Sequence, residues 1–185
     1  NEPWVVAWLG HGIGIHAPGK KDRKAAWAVA HHTVVAHAAS TMAMRSVRSD
    51  ILTGPVLNQA NNVADDINDP KQAYAVDMLD AVQNRFWMDA IMYGKYPQIL
   101  MDNFAEELGA VIKDGDLEAA KVKNDFIGIN YYFDNRVGPA VDGLDQWHSI
   151  SSLFGVASDE TPRGPLTDMG WPLTPEGLEN LLVRW

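Results

Sequence analysis

Apolar residues recur at spacings of three and four from Arg23 to Val47, where Trp27, Ala30, Val34, Ala38 and Met42 form one stripe. No Gly or Pro interrupts this run, and Asp22 stands where an N-cap side chain takes up free amides, so a long core-facing helix is predicted. A second helix is predicted from Asp69-Pro70, with Asp as cap, Pro at the first position and Gln72 as the capping-box partner. Its face would be Ala73, Val76, Leu79, Val82, Phe86 and Ile91, ending at Gly94 as a C-cap. Tyr96-Pro97 opens a shorter helix to about Leu108, and Thr174-Pro175-Glu176 opens a last one that runs to Trp185.

Between the helices the period changes. Residues 49–59 read as a short strand with a turn-like break at Gly54-Pro55, followed by a polar loop from Asn61 to Asp69. Phe126 to Asn130 reads as a short buried strand from its β-branched and aromatic content. The glycine-rich passage Val5–Gly19 is expected to be a loop. Its Gly10-His11-Gly12-Ile13-Gly14 lacks the strand, helix and third glycine of a dinucleotide fingerprint. Phe133 to Leu173, dense in Gly, Pro, Asp and Ser, is expected to be a long connection, functional or disordered rather than a mere link. Helices alternating with short strands define an α/β chain with a parallel sheet, and no composition break divides residues 1–185 into two domains.

Composition narrows the partners. The chain has 185 residues, 46% apolar and 21% charged, an ordinary globular mixture. A net charge of −9 disfavours nucleic acid and anionic membrane surfaces, which reward clustered Lys and Arg. No apolar run reaches the roughly 18 residues of a membrane span. The absence of cysteine excludes disulfides and thiolate metal sites and points to a reducing, cytoplasmic setting. His31, His32 and His37 share a helix, but His32 and His37 are five apart and would not align on one face, so packing or surface roles are expected. Glu106, Glu107, Asp114, Asp116 and Glu118 are expected to be a solvated acidic passage without chemistry. No metal or cofactor is expected.

Candidate chemistry begins with Asn1-Glu2-Pro3-Trp4: a carboxylic acid followed by a rigid proline and an aromatic is a way to present a general acid at a cleft. Two later segments go with it, Asp125-Phe126-Ile127-Gly128-Ile129-Asn130-Tyr131-Tyr132 and Thr167-Asp168-Met169-Gly170-Trp171-Pro172-Leu173-Thr174-Pro175-Glu176-Gly177-Leu178. In this order and spacing they resemble glycoside hydrolase family 1, the β-glucosidases and their relatives. His16-Ala17-Pro18-Gly19, Ala30-His31-His32 and Gly115-Asp116-Leu117 match in place as well.

The resemblance implies a (β/α)8 barrel with its site at the C-terminal ends of the strands. This chain would supply about strands four to six with their helices, an incomplete catalytic domain. It further implies a retaining glycosidase acting on a small β-glycoside or oligosaccharide through two carboxylates about 5 to 5.5 Å apart. Glu2 matches the acid/base, and Asn1 the residue bonded to the sugar 2-hydroxyl. Tyr132 matches the tyrosine that holds the nucleophile, with Asn130 beside it, and Trp4 and Trp171 match walls around the leaving group. The family's Thr-Glu-Asn-Gly nucleophile motif does not occur here, and Glu179-Asn180 lies in a helix start followed by Leu181. The nucleophile is therefore expected outside this chain, and the chain alone is expected to be inert and molten. A 6-phospho-β-glycosidase, a non-hydrolytic sugar-binding relative and an autonomous small binding domain are the alternatives.

Overall fold

The computed structural model describes residues 1–138, 149–159, 161 and 163–185. Helix α1 spans Arg23–Val47, and Asp22 caps it in an extended conformation, its Oδ1 accepting from the Ala25 amide at 3.1 Å. Trp27, Ala30, Val34 and Ala38 are buried as expected, but Met42 is 53% exposed and Thr41 is buried instead. Steps of four residues advance a stripe by about 40° each, and the step of three to Thr41 brings it back to the core.

Val5–Gly12 is not a loop but a wide π-helix packed on α1, with Ala7, Trp8, Gly10 and Gly12 buried. The glycines serve close packing here. A Cβ at Gly10 would stand 2.8 Å from the Ala17 carbonyl oxygen, and one at Gly12 would stand 3.1 Å from Leu153 Cδ1. Trp8 meets Trp27 edge-on at 4.8 Å and Phe154 at 4.9 Å, while Trp27 reaches Phe86 and Phe104 at 5.5 and 5.4 Å. This aromatic cluster is the centre of the core.

Helix α2 (Pro70–Asp80) starts at Asp69, whose Oδ1 accepts from the Lys71 amide at 3.0 Å. Gln72 does not close a capping box. Its Oε1 accepts from the amides of Asp65 and Asp66 and so fastens the preceding loop. The helix widens into a π turn, Ala81–Arg85, and continues as α3 (Phe86–Tyr93) to Gly94, whose φ of 66° makes it the expected left-handed cap. Leu79, Val82, Phe86 and Ile91 are buried. Helix α4 (Gln98–Gly109) buries Leu100, Phe104 and Leu108, and the short α5 (Asp116–Ala120) follows.

The acidic passage is only partly solvated. Glu107 pairs with Arg23 at 2.9 Å, and Asp116 accepts from His31 Nε2 at 2.9 Å. His31 is fully buried and bonds Tyr96 through Nδ1 at 2.8 Å, so it is a packing histidine joining α1 to the loop before α4 and to the start of α5. His37 bonds Asn124, and His32 is exposed.

Strand β1 (Val56–Gln59) pairs in parallel with β3 (Gly128–Tyr131), Asn58 opposite Asn130. Before Val56 the chain holds this direction through single backbone bonds, since Pro55 has no amide to give and a side chain at Gly54 would collide with the Phe126 carbonyl. β3 was expected to be buried, but all four of its residues are half-buried and Phe126 is 50% exposed. Among the described residues, β1 is the only strand that pairs with it. Asn1 and Glu2 stand where strand four would end, and the Glu2 amide donates to the Val56 carbonyl at 2.8 Å.

The long connection after Tyr132 holds elements of its own. They are β4 (Asn135–Gly138), α6 (Ile150–Leu153) and β5 (Ala157–Ser158), and residues 139–148 within it lie outside the described residues. β4 pairs in parallel with β2 (Asn62–Val63) and antiparallel with β5. Helix α7 (Glu176–Arg184) is anchored at its start, where Tyr131 OH bonds Thr174 and Asp134 and leaves no space for a side chain at Gly177. Burial, with the Asp134 carboxylate acting the same way and the Thr174 hydrogen bond opposing it, pushes the Tyr131 hydroxyl up to about 12, which keeps it a donor.

Candidate active site

Glu2 has a φ of 46°, the only positive φ outside glycine among the described residues. A side-chain-bearing residue in the left-handed region costs energy, and such strain gathers where the surrounding structure fixes a functional group. Pro3 follows at once and begins the helical turn that leads into the π-helix. The carboxylate is therefore aimed by backbone on both sides.

Its Oε1 accepts two hydrogen bonds, from Asn130 Nδ2 at 2.8 Å and from the Tyr132 hydroxyl at 2.7 Å. Asn130 Nδ2 also reaches Asn1 Oδ1 at 3.3 Å, so four of the six sequence-predicted site residues form one connected group. Strand pleating explains the choice of residues on β3. Side chains alternate between faces, so Asn130 and Tyr132 point to Glu2 while Tyr131 points away to Asp134 and Thr174. The bond to the Glu2 carboxylate, with a smaller contribution from burial, raises the Tyr132 hydroxyl and keeps it protonated.

Both tryptophans lie near Tyr132. Trp4 and Tyr132 line a cavity of about 210 Å³, with Asn58 and Gln59 from the end of β1 and Val82 and Gln83 from the π turn. Trp171 packs its ring against Tyr132 at 66° and Phe133 at 47°, centroids 5.5 Å apart in each case. Its turn is closed by the Thr167 amide donating to the Trp171 carbonyl at 2.8 Å. Trp171 also borders a second cavity of about 260 Å³, shared with Phe133, Arg136, Asp159 and Arg163.

Asn58 and Gln59 were missed as site residues. Both are buried, and among the described residues Asn58 Oδ1 and Gln59 Nε2 have no hydrogen-bond partner, while Gln59 Oε1 accepts from Trp185 Nε1 at 2.9 Å. Their place at the C-terminal end of a predicted barrel strand is the signal that could have found them. Among the described residues, no group of three or more His, Asp or Glu side chains is placed to hold a metal ion. No described helix is long and apolar enough to cross a membrane.

A carboxyl side chain at the ends of parallel strands, flanked by amide and phenol donors and by indole walls, can pass a proton to and from an oxygen of a polyhydroxylated ligand. The fold and this arrangement together describe part of an α/β barrel with a candidate site at its strand ends. The chain belongs to glycosyl hydrolase family 1, whose model matches residues 1–185. It is 30% identical to the β-glucosidase A of Acetivibrio thermocellus over 99% of its own length and 39% of that protein. It is 33% identical to the 6-phospho-β-galactosidase of Clostridium acetobutylicum, covering all of this chain and 42% of the relative. A crystal structure of the psychrophilic β-glucosidase from Micrococcus antarcticus superimposes with a TM-score of 0.89 at 34% identity, over all of this chain and 41% of that one. The chain thus spans about two fifths of the length of its relatives, as a segment of their (β/α)8 barrel in which the described strands do not close.

Proposed function

We propose that this chain is the acid/base half of a retaining β-glucosidase, with Glu2 as general acid and then general base. The observation that supports it is the Oε1 of Glu2, held at 2.7–2.8 Å by Tyr132 and Asn130 at the strand ends of a family member. In the first step the Glu2 carboxyl protonates the departing glycosidic oxygen while a nucleophilic carboxylate attacks the sugar's anomeric carbon. In the second step Glu2 takes a proton from water as the water oxygen attacks the anomeric carbon and displaces the nucleophilic carboxylate, which releases the sugar with retained configuration. The nucleophile belongs to sequence beyond this chain, in line with the missing Thr-Glu-Asn-Gly motif and with the two-fifths coverage.

Asn1 would bond the 2-hydroxyl of the bound sugar. Asn130 and Tyr132 would shift between Glu2 and the nucleophile as charge moves between the two carboxylates. Trp4 and Trp171 would wall the leaving group, where an aromatic face stacks on a sugar ring. The relative named 6-phospho-β-galactosidase supports a second reading, a phosphorylated sugar as substrate.

The test uses the full-length protein that contains this chain. Hydrolysis of β-glucosides followed by NMR should release β-glucose first. Release of the α-anomer, or no hydrolysis of either neutral or 6-phosphorylated β-glycosides, would overturn the reading.

A further inference from the structure

The cavity beside Trp4 has a floor made by a local departure from α-helical geometry. Ala81–Arg85 is a π turn between α2 and α3, and Val82 and Gln83 within it line the cavity. A widened turn adds one residue to the helix and rotates its neighbours, which is why such turns gather at functional sites. Here Gln83 is half-buried and faces the cavity, while Asn84 is wholly buried and serves a different purpose.

Asn84 grips one residue by both backbone groups. Its Oδ1 accepts from the Ala60 amide at 3.2 Å, and its Nδ2 donates to the Ala60 carbonyl at 2.8 Å. Ala60 directly follows Asn58 and Gln59, the two polar residues at the end of β1 that line the same cavity. The second Nδ2 hydrogen bond, to Asp80 Oδ1 at 2.7 Å, fixes the Asn84 amide, and Asp80 is fixed in turn by Arg85 and by Arg184 of α7. Asn58 Oδ1 and Gln59 Nε2 are buried without partners among the described residues, while Trp185 Nε1 donates to Gln59 Oε1 at 2.9 Å. Asn58 therefore depends on the backbone that Asn84 clamps, and Gln59 on that backbone together with Trp185.

We infer that the π turn is a specificity element for the leaving group, in which Gln83 touches that group and Asn84 is a positioning residue acting through Asn58 and Gln59. This inference rests on the β-glucosidase reading, and it assigns the cavity to a neutral, hydroxyl-bearing leaving group such as a second sugar. Among the described residues the cavity wall supplies amides, hydroxyls, apolar side chains and an indole face, and no carboxylate or cation. Amides can both give and accept hydrogen bonds, which suits hydroxyl groups rather than ions.

The experiment measures cellobiose hydrolysis and deoxynojirimycin inhibition in the full-length protein and its variants. Gln83→Ala should raise KM for cellobiose roughly five-fold and leave the inhibition constant of the monosaccharide mimic unmoved, as expected for a contact with the leaving group alone. Asn84→Ala should lower kcat/KM for cellobiose roughly ten-fold through loss of alignment. In a background already carrying Asn58→Ala and Gln59→Ala, the same Asn84→Ala change should add less than about two-fold, because residues acting through one another are not additive. Full additivity in that background would make Asn84 merely structural and overturn its part. Should Asn84→Ala fail to fold, Asn84→Ser, which keeps one hydrogen bond, takes its place in the same cycle. Equal weakening of cellobiose and deoxynojirimycin by Gln83→Ala, or no effect on either, would overturn the assignment of the cavity. A wild-type protein without hydrolysis would instead sink the β-glucosidase reading, before any variant is compared.

Discussion

The helical layer and the strand ends of this molecule are built to different standards of closure. In the layer, Trp8, Trp27, Ala30 and Leu100 have no exposed surface, and aromatic rings meet at 4.8–5.5 Å. At the strand ends, β3 is half-buried throughout, Tyr132 is 53% exposed, and Glu2 sits in a strained backbone conformation. The layer is held by apolar area, which is non-directional and tolerant of detail. The site is held by a few directional hydrogen bonds, which fix geometry and add little stability. Folding and chemistry are therefore separable here, and substitutions should affect one with little effect on the other.

The largest test of that contrast concerns the chain alone. Among the described residues its inner sheet has one parallel pair of four-residue strands, and Phe126, Leu182 and Val183 stand exposed. The isolated 185-residue polypeptide should show helical circular dichroism, bind a hydrophobic dye and melt without a cooperative transition. A sharp calorimetric peak would show the helical layer to be self-sufficient. Next in size, Trp27→Ala in the full-length protein should cost about 3–5 kcal/mol in denaturant unfolding. The KM of the surviving folded fraction should hold.

Trp171→Ala should do the opposite, weakening kcat/KM for cellobiose by roughly 1–3 kcal/mol, the scale of a lost stacking contact. The thermal midpoint should barely move, since the ring is half-exposed. A large loss of monosaccharide binding would place Trp171 on the other side of the scissile bond.

The smallest effect is one of pH. Burial alone would raise the Asp80 carboxyl, but Arg184, Asn84 and Arg85 together outweigh it and hold the group below the usual carboxylate range. A depressed folded-state value gives stability that is complete above the unfolded carboxylate value of about 4 and is lost as pH falls through the folded value. Arg184→Ala should therefore flatten the acid limb of the stability curve below about pH 4. An unchanged limb would mean that Asp80 is balanced by Arg85 and Asn84 alone.

The same division governs what could be read from the sequence. Helices α1, α2 and α4 and the Gly94 cap were legible because caps and stripes are local signals. The π-helix Val5–Gly12 was not, because its glycines look like freedom in sequence and act as close contacts in space. The pairing of His31 with Asp116 joins residues 85 apart, and no periodicity reports it. β4, α6 and β5 are too short to leave a pattern in a connection rich in Gly and Pro. For the site, Glu2 alone was ambiguous, and the later motifs gave it partners. The structure then brought Asn130 and Tyr132 onto its Oε1. Asn58 and Gln59 carried one signal, their place at the end of a predicted strand, and the π turn carried none, because it lies inside an otherwise continuous helical pattern.

The central claim is that Glu2 carries the proton, and one measurement reaches it directly. Glu2→Ala in the full-length protein should be assayed on β-glucosides whose leaving groups span a wide range of acidity, with and without azide. Substrates with poor leaving groups should lose roughly 100- to 10,000-fold in rate, the scale of general acid catalysis, and activated aryl glucosides far less. Azide should restore turnover and yield the β-glucosyl azide. Equal loss on all substrates with no response to azide would show that the proton comes from elsewhere.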